Sequence, residues 1–188
     1  MRKKLRDKRF AIVNCETTGL DAGHHEVVEF GVVYLDGRFE SFKIAPQHID
    51  RAHPKALEVN GYTPEAWVDA LSPLEAATRI GAILTDCVVA GYNVKFDLGF
   101  IQTLLKEQGV KASFGHHAVD VAALAYEHLV PIGLEILSLK NVCQFIGVPP
   151  EPDKHDALNG ALACRSVYLK LARANWFQRL IWKLRNRG

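Results

Sequence analysis

The sequence predicts an α/β domain, a mixed sheet with helices on its faces. Three observations predict it. Strand-type segments fill the stretch from Phe10 to Ala45, a capping box at Ser72 opens a helical region, and a short apolar strand at Cys87 to Gly91 then alternates with helices.

Phe10 to Cys15 is a short apolar run that ends at the polar turn Thr17-Thr18-Gly19. Glu26 to Leu35 is rich in β-branched and aromatic residues and closes on Asp36-Gly37, a strong hairpin signal. Arg38 to Ala45 resumes alternation through Phe39, Phe42 and Ile44, so three antiparallel strands form a meander. His53 to Gly61 reads as a short helix stopped by glycine. Ser72-Pro73-Leu74-Glu75 caps a helix that runs to about Thr85. Further helices are expected over 96–108, 119–129, 138–146 and 156–174, the last behind the loop Pro149-Pro150-Glu151-Pro152.

At 188 residues, 48% hydrophobic and 23% charged, the chain can bury one core and falls outside the disordered and collagen-like classes. No apolar run approaches the roughly 18–20 residues of a membrane span, so no transmembrane segment is expected. The apolar stretch Phe10 to Val13 behind the basic N-terminus is too short for a signal peptide. Cys15, Cys87, Cys143 and Cys164 stand singly without a C-x-x-C pair, which fits buried thiols in a reducing, cytoplasmic setting.

Charge divides the chain. Residues 1–9 carry six Lys/Arg and one Asp, residues 165–188 carry seven Lys/Arg and no acid, and residues 10–164 hold ten basic against twenty acidic residues. The expected organisation is a basic extension (1–9), an acidic body (10–174) and a basic amphipathic helix (175–188). In that helix Trp176, Phe177, Leu180, Ile181 and Leu184 form a stripe, with Arg179, Lys183, Arg185 and Arg187 away from it. Docking on its own domain is the expected role; a protein partner, nucleic acid or an anionic membrane surface is the alternative.

Three polar clusters interrupt the apolar framework. Asn14-Cys15-Glu16-Thr17-Thr18-Gly19-Leu20 ends the first strand, where the period of two puts residues 14 and 16 on one face. Asn93-Val94-Lys95-Phe96-Asp97 marks the passage from strand four into a helix. His155-Asp156-Ala157-Leu158-Asn159-Gly160 heads a late helix.

These clusters resemble the DEDDh 3′–5′ exonucleases, the family of ribonuclease T and proofreading subunits. The motif D-x-E-T-T-G corresponds to Asn14 through Gly19. N-x-x-F-D-x-x-F corresponds to Asn93, Phe96, Asp97 and Phe100, and H-x-A-x-x-D to His155, Ala157 and Gly160. Asn60-Gly61-Tyr62-Thr63, Asp120-Val121 and Leu137-Ser138-Leu139-Lys140 also look like family features, so the likeness runs from about residue 10 to 172. It implies a ribonuclease H-like fold with a five-stranded mixed sheet flanked by helices. It also implies two Mg²⁺ or Mn²⁺ ions, His155 as general base, single-stranded DNA or RNA 3′ ends as substrate, and in some relatives a homodimer. Thr17, Thr18, Gly19, Leu20, Asn93, Phe96 and Tyr92 would meet the substrate.

The chain departs from the pattern at two metal positions, where Asn14 and Gly160 replace aspartates. Glu16 and Asp97 then supply two negative charges where two divalent ions bring four positive ones. Impaired hydrolysis is the expectation; a catalytically silent nucleic-acid-binding or scaffolding module of the same fold is the alternative. Asp156, one turn before Gly160, is a candidate substitute ligand, set against its ordinary use as negative charge at a helix N-terminus. Tyr92 and Phe100 would stack on a base or belong to the core. Lys95 would touch phosphate or stand in solvent. Glu29 is expected to face solvent, and the pairs His24-His25 and His116-His117 to lie in surface loops.

Overall fold

The computed structural model describes residues 9–114, 117–152 and 155–186; most of the N-terminal extension, His116 and Arg187 lie outside the described residues. Strands β1 (Arg9–Thr17), β2 (Val27–Tyr34) and β3 (Phe39–Lys43) form the expected antiparallel meander. Asp36-Gly37 turns β2 into β3, with Gly37 at φ 92°, where a side chain would be strained. β4 (Cys87–Gly91) and β5 (Ala118–Asp120) add parallel to the other side of β1, giving the order β3-β2-β1-β4-β5.

The helices are α1 (Pro54–Asn60), α2 (Pro73–Leu84), α3 (Val94–Glu107), α4 (Val121–Leu129), α5 (Leu139–Ile146), α6 (Ala157–Ala172) and α7 (Trp176–Arg185). The Ser72/Glu75 capping box opens α2, and Gly61 in the left-handed region closes α1. Two expectations shift. α3 starts at Val94, because Asn93 takes the left-handed conformation at φ 58° at its N-cap position. The segment expected to be helical from 119 begins instead as β5, and Asp120 then caps α4 by accepting from the Ala122 amide at 2.8 Å.

Alternation along β1 splits the core in two. Ala11, Val13 and Cys15 pack beneath α2 and α3 with Phe30, Ile80 and Ile101. Ile12 faces the opposite side, with Val33, Ala90 and residues of α4, α5 and α6. Even-numbered β1 positions therefore look toward α6, which puts Asn14 and Glu16 on that face. α6 comes down onto the sheet at Gly31, where an added Cβ would stand 2.5 Å from the Ala157 carbonyl carbon and oxygen. Only glycine allows this approach.

α7 docks on the domain as expected, but not through the expected stripe. Trp182 is its buried residue, joined to the α6 side of the core. Trp176, Phe177, Leu180, Ile181 and Leu184 are all exposed.

Candidate active site

The site forms where β1 ends, between its terminal turn, α1, α3 and the start of α6. A cleft of ≈ 640 Å³ is lined by Asn14, Glu16, Thr17, Gly19, Leu20, Phe96 and His155, together with His25, His53 and Lys55. The first and third sequence clusters thus meet in one place, with Phe96 from the second.

Each wall has a local cause. The Thr17 hydroxyl donates to the Gly19 carbonyl at 2.6 Å, and the buried Asn60 donates its amide to the Thr17 carbonyl at 3.2 Å, so α1 braces the turn. Thr18 is fully buried, its hydroxyl accepting from the Glu26 amide at 2.9 Å. It shapes the turn rather than lining the cleft. Leu20 stands out at 86% exposure, an apolar side chain at the mouth. Phe96 packs on Phe100 with ring centroids 4.9 Å apart, and Phe100 itself is core.

Asp97 is 3% exposed and accepts the Cys15 amide at 2.8 Å, tying the head of α3 to the end of β1. Burial pushes its carboxyl up to about 7. Glu16 is pushed up to about 8, first by burial and then by the charges of Glu151 and Glu29. The Asn14 amide donates to Glu16 Oε1 at 3.4 Å and offsets part of that rise.

Gly160 lies against Asn14. A Cβ built on Gly160 would stand 2.6 Å from Asn14 Nδ2 and 2.9 Å from its Cγ. Asp156 caps α6, its Oδ1 accepting from the Asn159 amide at 2.7 Å and its Oδ2 from the Asn159 side chain. Both oxygens serve the helix terminus. His155 Nε2 lies 3.8 Å from Glu151 Oε1.

Two carboxylates gather here that the motifs do not name. Glu29 is a correction: it is buried, not facing solvent, because it lies directly across from Glu16 in the β1/β2 register. Its carboxyl is raised by burial and by Asp156. Glu151 arrives on the proline-rich loop, and its carboxyl is raised chiefly by burial. Only the pairing register and the loop path reveal either of them.

Other predicted residues lie elsewhere. Tyr92 packs into the α6-side core with its hydroxyl buried, so the base-stacking role does not fit its position. The Asn93 backbone amide donates to Asp120 Oδ1 at 3.1 Å, and the residue sits at the N-cap position of α3, without a side-chain capping bond, outside the cleft lining. Lys95 is exposed. His24 and His25 do lie in a surface loop, yet their rings touch edge to face at 4.9 Å, and His25 reaches the cleft beside Gly19.

As a donor set for two divalent ions, these residues do not fit. Glu16 and Asp97 offer carboxylates, Asn14 turns its amide nitrogen toward Glu16, and Gly160 offers no donor. Among the described residues, no three His, Cys, Asp or Glu side chains converge as a metal-binding group.

The fold and the ordered clusters define a nuclease-type domain, and comparison with known proteins makes the class specific. The RNase T exonuclease family profile matches residues 12–168. The chain belongs to this family of 3′–5′ exonucleases. DNA polymerase III subunit epsilon of Aquifex aeolicus is 26% identical over 182 residues, covering 95% of this chain and 87% of that protein. The PolC-type DNA polymerase III of Thermotoga maritima is 27% identical over 169 residues, covering 87% of this chain but 12% of that protein. Among solved structures, E. coli Exonuclease I in complex with a dT13 oligonucleotide superposes with a TM-score of 0.75 at 19% identity, over 97% of this chain and 44% of that one. A zinc-bound complex of the same enzyme with single-stranded DNA superposes at 0.76 and 19% identity, over 94% and 42%. The ribonuclease H-like fold is thereby established, while this chain spans only a fraction of the PolC-type relatives and under half of Exonuclease I.

Proposed function

We propose that this chain receives the 3′ end of a single-stranded nucleic acid in the Leu20/Phe96 cleft, and that its hydrolysis of the terminal phosphodiester is impaired at the Asn14/Gly160 pair. The observation that carries the reading is the meeting of Glu16, His155, Thr17, Leu20 and Phe96 in one cleft whose floor has Asn14 packed against Gly160.

The roles follow from position. Leu20 and Phe96 offer apolar and aromatic faces to an unstacked base, a sequence-tolerant way of holding single strands. Thr17 and Gly19 fix the backbone that the terminal sugar would meet. His155 is the imidazole in the cleft lining placed to take a proton from water. Glu16 and Asp97 are the surviving ligand positions, and Mg²⁺ or Mn²⁺ is the cofactor their hard oxygens favour. At the family's ligand positions two carboxylates would leave about half the charge of two such ions unbalanced, so Glu16 and Asp97 would hold such a pair weakly.

The exonuclease unit in this reading is residues 10–174, with basic extensions at 1–9 and 175–188, acting in the cytoplasm. The relatives' names, polymerase III epsilon and PolC-type polymerase, support work on DNA beside other proteins.

Trimming of a 5′-labelled single strand in Mn²⁺ tests the proposal. The chain as it stands should trim slowly or not at all. The double variant Asn14→Asp with Gly160→Asp should trim, and a further Glu16→Ala should abolish that activity. Equal trimming by the unmodified chain and the double variant would overturn the impairment. Silence in both, with binding retained, would favour a catalytically silent nucleic-acid-binding module.

A further inference from the structure

α7 carries an apolar face that nothing in the described chain covers. Trp176, Phe177, Leu180, Ile181 and Leu184 recur at helical spacing and are 42–76% exposed, while the opposite side is anchored. Trp182 is buried there, the Arg179 guanidinium donates to the His128 carbonyl at 3.2 Å, and the Asn186 amide donates to the Phe145 carbonyl at 3.1 Å. The helix is held in place with its stripe turned outward.

Along the chain, α7 and the segment that leads into it carry charge of one sign. Residues 165–188 hold seven Lys/Arg and no acid. Among the described residues, Arg173, Arg179, Lys183 and Arg185 pair with no carboxylate.

The stripe also has a defined place in the fold. α6 begins with Gly160 against Asn14, and further along it Tyr168 stacks on Phe10 at 4.8 Å. Four strand residues back from Asn14 cover about 13 Å, and eight helical residues on from Gly160 cover about 12 Å. α6 therefore runs antiparallel to β1 and ends where β1 begins. α7 follows at that end, opposite the cleft.

We infer that α7 is a peripheral docking surface for an anionic lipid bilayer, lying in the headgroup plane with the cleft facing away from it. Five apolar residues including two aromatics, flanked at helical spacing by Lys183 and Arg185 on a helix without an acid, match an interfacial helix. A nucleic acid would satisfy the cations but leave Leu180, Ile181 and Leu184 in water. A second copy would bring two cationic helices together, which like-charge repulsion opposes. No described helix is long and apolar enough to cross a membrane, so the attachment is superficial.

The test uses the full chain with phosphatidylcholine vesicles, with and without phosphatidylglycerol, in low and high salt. Trp67 and Trp182 are buried at 6% and 5% exposure while Trp176 is 76% exposed, so a blue shift in emission reports α7. Sedimentation with the phosphatidylglycerol vesicles alone is expected, weakened by salt, with a blue shift that Trp176→Phe removes. Ile181→Glu, at an exposed position, should cut binding by roughly tenfold or more with an unchanged circular dichroism spectrum, while Leu74→Glu, exposed on α2, should not. The inference is overturned if neither vesicle binds, or if Ile181→Glu binds as well as the parent. It is equally overturned if Ile181→Glu instead abolishes a concentration-dependent dimer or single-strand binding while vesicle binding is absent.

Discussion

Asn14 fills the space in which a side chain on Gly160 would begin: the three atoms nearest an added Cβ all belong to Asn14, at 2.6, 2.9 and 3.2 Å. The two departures from the family pattern are therefore one packed unit, an amide resting on a bare helix backbone. Gly31 makes the unit possible by letting the first turn of α6 settle on β2.

The fit between Asn14 and Gly160 predicts an energetic coupling. Gly160 lies inside α6, where alanine is ordinarily favoured over glycine by about 0.5–1 kcal/mol. With Asn14 present, Gly160→Ala should keep less of that gain, because the Asn14 side chain must turn away from the new Cβ. In an Asn14→Ala background the same change should keep the gain in full. Denaturant unfolding of the four proteins of the cycle measures the coupling.

Gly31→Ala should be severe, because the new Cβ meets backbone atoms of Ala157 and not a side chain that can rotate. A loss of about 3 kcal/mol or more is expected. Thermal unfolding with hydrogen exchange over 157–160 would locate the damage at the start of α6.

Acidity gives a third prediction. In metal-free solution the Glu16 carboxyl has its folded pKa raised from 4.5 to about 8, so the folded state holds a proton that the unfolded state releases. Stability from this group is intact below about 4.5 and is lost as pH rises toward 8. Glu16→Gln should flatten that decline when unfolding is followed across the same window. An unchanged slope would place the pH dependence in other groups.

Single-strand binding should survive chelation. Leu20→Ser should weaken it without loss of fold, since that side chain is almost wholly exposed. Phe96→Ala should cost about 1–3 kcal/mol of affinity if its ring stacks on a base. Fluorescence anisotropy with a labelled oligonucleotide, in chelator, gives both values.

Local signals carried much of this molecule. The hairpin at Asp36-Gly37, the capping box at Ser72 and the three polar clusters were legible because neighbours in sequence decide them. β5 was missed because its three residues run straight into the apolar pattern of α4. Glu29 is buried against the expectation because strand alternation does not say whether a polar residue's face is covered; the register opposite Glu16 and the approach of α6 cover it. For α7 the pattern locates an apolar face but does not name its occupant, and Trp182 with the Arg179 and Asn186 hydrogen bonds on the other side sets the docking.

Calorimetric titration of Mn²⁺ into the unmodified chain and into Asn14→Asp with Gly160→Asp tests the central claim most directly. Weak binding to the unmodified chain and tighter, two-ion binding to the variant is the predicted result. Tight binding of two ions to the unmodified chain would contradict the account, because Asn14 and Gly160 would then not have weakened the metal centre.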